Sequence, residues 1–275
     1  MSLLSVSNAD IIFGPKPAKI FPLIDAGKTR EEIRKNTGHT VAISNACLNL
    51  EEGEIIVLMG LSGSGKSSLL RAFNGLNPIS RGQICFRNQP ITNFQALRLN
   101  QVSMVFQSSA LLPWRTVFEN IALGLQIKNL DSKLVSKLAF ENLERVGLKD
   151  WAQSMPGELS GGMQQRVGLA RALAMQSPIL LMDEPFSALD PVIRGDLQQE
   201  LLRLQKELKK TILFVSHDLT EALILGNRIA VLDSGQIIQV GTPREIISNP
   251  INAYVSRFVS NVERHCPKCI SKIAN

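Results

Sequence analysis

The run Gly60-Leu61-Ser62-Gly63-Ser64-Gly65-Lys66-Ser67 has the pattern G-x-x-x-x-G-K-S, which suits a loop that wraps a phosphate group. Its glycines let successive backbone N–H groups turn inward into an anion nest. A helix starting at the loop, with Ser68 in its first turn, adds the positive end of its dipole. Lys66 offers a point charge to the β- and γ-phosphates, and the Ser67 hydroxyl is a ligand for Mg²⁺. At average residue usage the fixed positions match by chance in about one chain per hundred of this length.

Other polar residues stand directly after apolar runs. Asp183-Glu184 follows Ile179–Met182, which places Asp183 to hold Mg²⁺, in part through water, and Glu184 to polarise an attacking water. His217 follows the run Ile212–Val215 and would reach a γ-phosphate, although a lone histidine at a strand end is more often structural. Gln107 follows Val102–Phe106, and its amide could touch Mg²⁺ or the lytic water. The stretch Leu159-Ser160-Gly161-Gly162-Met163-Gln164-Gln165-Arg166 puts a hydroxyl and two glycines before a helix, a second anion site. Alone it reads equally as a capped helix with a flexible lead-in, but a single mononucleotide fold has no need of two such sites.

The elements that must position these residues alternate. Ile55–Met59, Ile179–Met182 and Ile212–Val215 are short, bounded and aliphatic, as buried parallel strands are. Residues 68–74 form a helix that Gly75 ends. His39–Leu50 alternates as an antiparallel strand, and Gly82–Phe86 and Val6–Phe13 read as strands, the last broken by Gly14-Pro15-Lys16-Pro17. Thr29 caps a short charged helix that Gly38 closes. Residues 108–176 are helical: one helix over Val117–Ile127, a second with Leu134, Leu138 and Val146 on one face, and a third from Met163 to before Pro178. Asp190 caps a helix with Pro191 at its first position and Ile193, Leu197, Leu201, Leu204 and Leu208 along its core face. Arg228–Leu232 and Gln236–Val240 form a hairpin about Asp233-Ser234-Gly235. Alternating strands and helices imply an α/β fold with a parallel sheet, whose ligands sit at the carboxyl ends of the strands.

Composition narrows the function classes. The chain has 275 residues, 44% apolar and 20% charged, with a net charge of +6 that is spread rather than clustered. Aromatics make up 5%, and no basic tract is interleaved with them, which argues against nucleic acid. No run of about 18 apolar residues predicts a membrane span, and no secretory signal is apparent, which suggests the cytoplasm. Cys47 and Cys85 lie in expected strands and read as small buried apolar residues, while Cys266 and Cys269, beside His265, are half a zinc site or a redox-active or incidental tail.

Taken together, the phosphate loop and Leu159–Arg166 resemble the ABC-transporter ATPases over about residues 39–245. The resemblance implies a P-loop NTPase (RecA-like) core with a mostly parallel sheet, an antiparallel β subdomain and an inserted helical subdomain. It divides the chain into an N-terminal extension (1–38), a nucleotide-binding core (39–107 and 166–245), a helical subdomain (108–165) and a short tail (246–275). Gln107 then matches the Q-loop, Ile179–Glu184 the Walker B strand, Ser187-Ala188-Leu189-Asp190 the D-loop and His217 the switch histidine. ATP is implied to contact Gly60–Ser68, Ser160, Gly161, Gly162, Gln164 and Asp190. Residues 12–14, Gly27–Ile33, Asn74–Pro78, Leu111–Val117 and Met182–Pro191 are similar to the ATPase subunits of choline, glycine betaine and trimethylamine N-oxide importers.

That resemblance implies a head-to-tail pair of copies, each ATP lying between one phosphate loop and the other copy's Ser160-Gly161-Gly162. It further implies permease subunits, an indirect solute-binding partner and a peripheral place on the cytoplasmic face of the inner membrane. Gln107 is the expected hinge, and Leu111–Val117 the expected groove for a permease helix, although Trp114 could equally be packing between subdomains. A soluble ATPase acting on nucleic acid or ribosomes is the alternative, while a phosphate-loop kinase leaves residues 159–166 unexplained. The sequence departs from the family in two ways. No aromatic stands near Thr37-Gly38-His39, where adenine is usually stacked, which leaves His39, Phe13 or no stacking partner at all; and osmoregulated relatives carry a C-terminal CBS pair that is not expected here.

Overall fold

The antiparallel sheet is built around the N-terminal strand. The computed structural model describes residues 2–265, with side chains as far as Ser260. In chain order the first elements are β1 (Ser2–Phe13), α1 (Phe21–Asp25), α2 (Arg30–Thr37), β2 (Thr40–Glu51), β3 (Ile55–Met59), α3 (Lys66–Phe73), β4 (Arg81–Phe86), β5 (Gln89–Pro90), α4 (Phe94–Asn100) and β6 (Val102–Val105). There follow α5 (Val117–Ile127), α6 (Ser132–Arg145), α7 (Gly161–Ala174), β7 (Ile179–Asp183), α8 (Pro191–Leu208), β8 (Thr211–Ser216), α9 (Leu219–Leu225), β9 (Arg228–Asp233), β10 (Gln236–Gly241), α10 (Pro243–Ser248) and α11 (Ala253–His265). The pair Cys266 and Cys269 lies outside the described residues. Two compact units result: the described residues up to Phe94 together with those from Leu213 on, and Gln95–Ile212.

In the first unit the strand order β2-β1-β4-β5 puts β1 at the centre of an antiparallel sheet. Leu4, Val6, Ala9, Ile11 and Ile12 are buried, and β1 begins at Ser2, four residues before the expected Val6, with a bulge between Ser7 and Asp10. Ile12, Ile20, Ile33 and Val41 form a small core that carries α2 on this sheet. Thr29 and Glu32 make the reciprocal cap of α2, and Gly38, at φ 75°, ends it. The wholly buried β3 pairs in parallel with β9, which turns through Ser234 and Gly235, both at positive φ, into β10.

In the second unit β6 and β7 pair in parallel, Val102 opposite Ile179. Helices α5, α6 and α7 enclose their own core, centred on Val117, Ile121, Ala139, Leu143, Val167 and Ala170. Leu134, expected on the inner face of α6, is 42% exposed; Val135, Leu138, Ala139 and Leu143 form that face instead. Leu138 and Val146 are buried as expected, and Leu134, in the first turn beside the Asp131 cap, lies at the edge of the face that packs on α5 and α7. Helix α7 starts at Gly161 rather than near Met163, because Ser160 is its cap. On α8, Leu197, Leu201 and Leu204 are buried as expected, and Asp190 accepts from Val192 and Ile193. Cys47 corrects a further expectation: it is exposed and its thiol donates to Asn8 Oδ1 at 3.3 Å, whereas Cys85 is buried. The alternation of β2 buries Ala46, Leu48 and Leu50 and turns Cys47 outward with Asn45 and Asn49.

Asp10 is fully buried on β1, and its carboxylate accepts from the backbone N–H of Asn45 at 2.7 Å and from Arg81 Nε at 2.6 Å. Arg81 also forks onto Asp25 and lies 4.9 Å from the centroid of the Phe21 ring, so one guanidinium ties β1, β4 and α1. The Arg81 fork holds the Asp25 carboxyl below the usual range. Removing it leaves a buried carboxylate without its charge partner. Arg81→Met is expected to lower unfolding free energy by about 2 kcal/mol, at the lower end because Arg81 is partly hydrated; the shift of the urea midpoint measures it.

Candidate nucleotide site

Strand β3 delivers the phosphate loop and α3 begins inside it at Lys66. Gly60, Gly63 and Gly65 have φ of 156°, 78° and 107°. A Cβ on Gly60 would come within 2.2 Å of the Leu232 carbonyl oxygen, and one on Gly65 within 2.4 Å of that of Ala42. These glycines are therefore required by close backbone approach as well as by conformation. Lys66 is buried, and its Nζ donates to Gly60 O at 2.8 Å and Leu61 O at 3.1 Å. Ser64 is buried with its Oγ unpartnered, a polar atom inside the loop that suits an anionic group. Leu61, Ser62 and Gly63 are exposed, and Ser67 and Ser68 half-buried.

His39 and Phe13 belong to the same unit. The His39 ring is buried: Nε2 bonds to Pro15 O at 2.7 Å, Nδ1 to Thr37 O at 3.1 Å, and a Cβ on Gly14 would strike the ring. His39 is thus committed to the fold and has no face for adenine, whereas Phe13 is 43% exposed. His217 is exposed just past β8. Its neighbours fix the turn: Ser216 Oγ donates to Glu221 at 2.6 Å, and Asp218 caps α9.

The second unit carries the acidic pair. Asp183, the last residue of β7, is buried, and Glu184 has φ 45°, a left-handed conformation that costs a non-glycine residue about 1–2 kcal/mol. Ser187 holds it there: its Oγ donates to Glu184 O at 3.0 Å and accepts from Gln107 Nε2 at 3.4 Å. Gln107 and the Glu184 turn are thereby brought together through Ser187. At the start of α7 the Ser160 side chain accepts from Met163 N, and Ser160 and Gly161 are exposed. A Cβ on Gly162 would meet Ile193 of α8 at 2.7 Å, so this glycine also admits a neighbouring helix.

Gln164 is placed differently from its expected contact with ligand. Its Nε2 donates to Pro156 O and Leu159 O, and its Oε1 accepts from Ser109, so the amide is occupied in fixing the loop before α7. The Asp190 carboxylate is likewise occupied as the cap of α8, though the residue is exposed.

Three residues with clear work escaped sequence reading. Gln165 donates to Gln107 O at 2.8 Å, and Arg171 donates to Ser109 O at 2.9 Å and Ala110 O at 2.8 Å, so α7 grips the backbone of 107–110. Burial pushes the Arg171 guanidinium below its ordinary pKa. Asn120, fully buried on α5, bonds both backbone groups of Leu112 and the carbonyls of Arg115 and Thr116, which shapes Leu112–Thr116 and leaves Trp114 70% exposed. Helical phase could have flagged Asn120 and Arg171 as polar residues on apolar faces; nothing in spacing indicates their carbonyl partners.

The crowding at Gly65 gives a direct test. Gly65→Ala must shift the loop or the Ala42 strand, and is expected to weaken MgATP binding at least about tenfold, with the far-UV circular dichroism unchanged; isothermal titration reads the affinity.

Comparison with known proteins agrees with this geometry. Residues 43–187 match the family model described as ABC transporter. The chain is 46% identical over 265 residues to the Escherichia coli glycine betaine/proline betaine transport ATP-binding protein ProV, covering 94% of this chain and 66% of ProV. It is 43% identical to the Ruegeria pomeroyi trimethylamine N-oxide transport ATP-binding protein TmoW, covering 95% of this chain and 78% of TmoW. It thus spans just under two thirds of ProV. The ATP-binding cassette MJ0796, solved as a dimer bound to ADP and Pi, superposes with a TM-score of 0.73 at 30% identity, covering 87% of this chain and 98% of that one. With a glycine-cradled phosphate loop, paired parallel strands and a three-helix segment on one chain, this protein belongs to the ABC transporter family and has its α/β P-loop cassette fold.

Proposed function

We propose that this chain is the ATP-hydrolysing subunit of a membrane importer for a small quaternary-ammonium-type osmolyte, such as choline, glycine betaine or trimethylamine N-oxide. The observation that carries the reading is a second exposed, glycine-flanked helix start, Ser160-Gly161-Gly162 on α7, in addition to the phosphate loop. A single nucleotide site needs one such feature; two complementary ones suit two copies of the chain paired head to tail, each supplying half of two sites. The dimer described for MJ0796 supports the pairing, and the named transport systems of ProV and TmoW support the solute class.

In this reading the nest of Gly60–Ser68 and Lys66 hold the β- and γ-phosphates. Ser67 and Asp183 are hard oxygen donors of the kind Mg²⁺ takes, with Gln107 as a further oxygen donor. When bound, Mg²⁺ neutralises charge on the phosphate oxygens. The Glu184 carboxylate takes the proton of the attacking water, from a residue whose backbone is held in the left-handed region. His217 faces the γ-phosphate. From the other copy, Ser160 and the N–H groups of Gly161 and Gly162 close over the γ-phosphate, with Asp190 beside them. ATP thus favours the closed pair and ADP the open one, a differential affinity that can be coupled to a permease. Phe13 is the ring with an accessible face for adenine.

The exposed Pro113 and Trp114 within Leu112–Arg115 suit contact with permease subunits, which would hold the ATPase on the cytoplasmic face of the membrane and link it indirectly to a solute-binding protein. Among the described residues no helix is long and apolar enough to cross a membrane.

Glu184→Gln is expected to bind ATP, to hydrolyse it at least about a hundredfold more slowly, and to accumulate as an ATP-bound dimer on size exclusion; normal turnover would remove Glu184 as the base. Ser160→Arg should abolish hydrolysis while leaving nucleotide binding by the monomer within about twofold, the range of a distant and uncoupled site. Loss of monomer binding would contradict the shared site. Titrating the partner solute receptor with choline, glycine betaine and trimethylamine N-oxide identifies the solute.

A further inference from the structure

The phosphate loop is held from its outer side by elements from both ends of the chain. Arg30, the first residue of α2, donates from Nη1 to Gly63 O at 3.3 Å. Tyr254, on α11, accepts from the Leu61 N–H at 3.1 Å and donates to Leu232 O at 3.2 Å. The hairpin turn adds Gly235 N–H to Ser64 O at 2.9 Å. Every one of these groups lies in the same compact unit.

The partners matter because of peptide geometry. In a trans peptide the carbonyl of one residue and the N–H of the next point in opposite directions. The Gly60–Leu61 peptide gives its N–H to Tyr254 and its carbonyl oxygen to Lys66 Nζ at 2.8 Å. Rotating that peptide would break both bonds together, so the tyrosine hydroxyl and the lysine ammonium are linked through one rigid plane. The Gly63–Ser64 peptide is turned in the same way by Arg30. Glycines at 60, 63 and 65 leave the loop free to adopt other conformations, and external bonds are what select one. Burial pushes the Tyr254 phenol above its ordinary pKa, so it keeps its proton for Leu232 at neutral pH.

We propose that Arg30 and Tyr254 are positioning residues for nucleotide binding, Tyr254 acting on Lys66 through the Gly60–Leu61 peptide and Arg30 acting on the Gly63–Ser64 peptide. Helices α2 and α11 thereby help to shape the phosphate site from outside the loop. Tyr254 is the chain's single tyrosine. Its ring packs edge-on to Phe258 at 5.1 Å, which a phenylalanine in its place would preserve.

This inference rests on the reading that the loop binds ATP, and the experiment separates the two. MgATP affinity is measured by isothermal titration for the native chain, Tyr254→Phe, Arg30→Met, Arg30→Lys and, as control, Lys66→Ala. Thermal midpoints without nucleotide and steady-state kcat and KM are measured alongside. Tyr254→Phe and Arg30→Met are each expected to raise Kd and KM about five- to tenfold, the worth of one hydrogen bond to a polar or charged partner. The expected kcat stays within about twofold, as for loss of uniform binding, with little change in the midpoint. Arg30→Lys should recover part of the loss. If Lys66→Ala loses binding while both variants bind like the native chain, the positioning role is overturned and the ATP reading stands. If Lys66→Ala binds like the native chain, the ATP reading itself fails. Should Tyr254→Phe lower the midpoint, Arg30→Met, altered on a partly exposed side chain, still decides the matter.

Discussion

The close approach of the backbone at Gly60 and Gly65 is the constraint on which the site depends. Carbonyl oxygens of Leu232 and Ala42 occupy the space where side-chain carbons would stand. Removing side chains brings strand backbones against the loop, and these backbones then limit where its N–H groups can point. The same removal gives the loop conformational freedom, which must be offset by bonds from outside it. Those bonds come from Arg30, Gly235 and Tyr254, so the edges of the first unit are devoted to fixing one short turn.

The second unit solves a different problem, that of holding a strained acid. Glu184 sits in a left-handed conformation, and Ser187 secures its carbonyl while also reaching Gln107. Gln107 is in turn gripped by Gln165, with Arg171 on the next carbonyls. The backbone of residues 107–110 is thereby tied to α7 at three carbonyls. Buried amides and a guanidinium with satisfied donors give this segment its definition, since carbonyls in a loop have no ladder of their own.

The elements themselves were readable wherever one physical rule acted alone. Buried strands β3, β7 and β8 show as aliphatic runs, and α2 and α8 show their caps and stops within one turn. Reading failed where two rules competed. Spacing puts Leu134, Leu138 and Val146 on one face of α6, but packing against α5 and α7 buries Val135 with Leu138 and Val146 and leaves Leu134 exposed at the first turn. Cys47 reads as buried because it lies in a strand, but it falls on the outward phase of β2, between the buried Ala46 and Leu48. His39 looked available to a ligand because nothing in sequence reveals that Gly14 makes room for its ring.

By itself the sequence determined the chemistry at the strand ends: a glycine-rich phosphate loop with Lys66 and Ser67, the pair Asp183-Glu184, and the second anion motif at Ser160–Gly162. These are local patterns, set by residue type and spacing within a few positions, and local sterics suffice to form them. Only the tertiary structure decided which side chains hold those patterns in shape. Arg30 and Tyr254 lie 33 and 193 residues from the backbone groups they bond, and Arg171 lies 61 from one of its carbonyls. A hydrogen bond to a backbone carbonyl or N–H can be made by many side chains and leaves no signature at the residue that receives it, so such partners become visible only when the chain is folded.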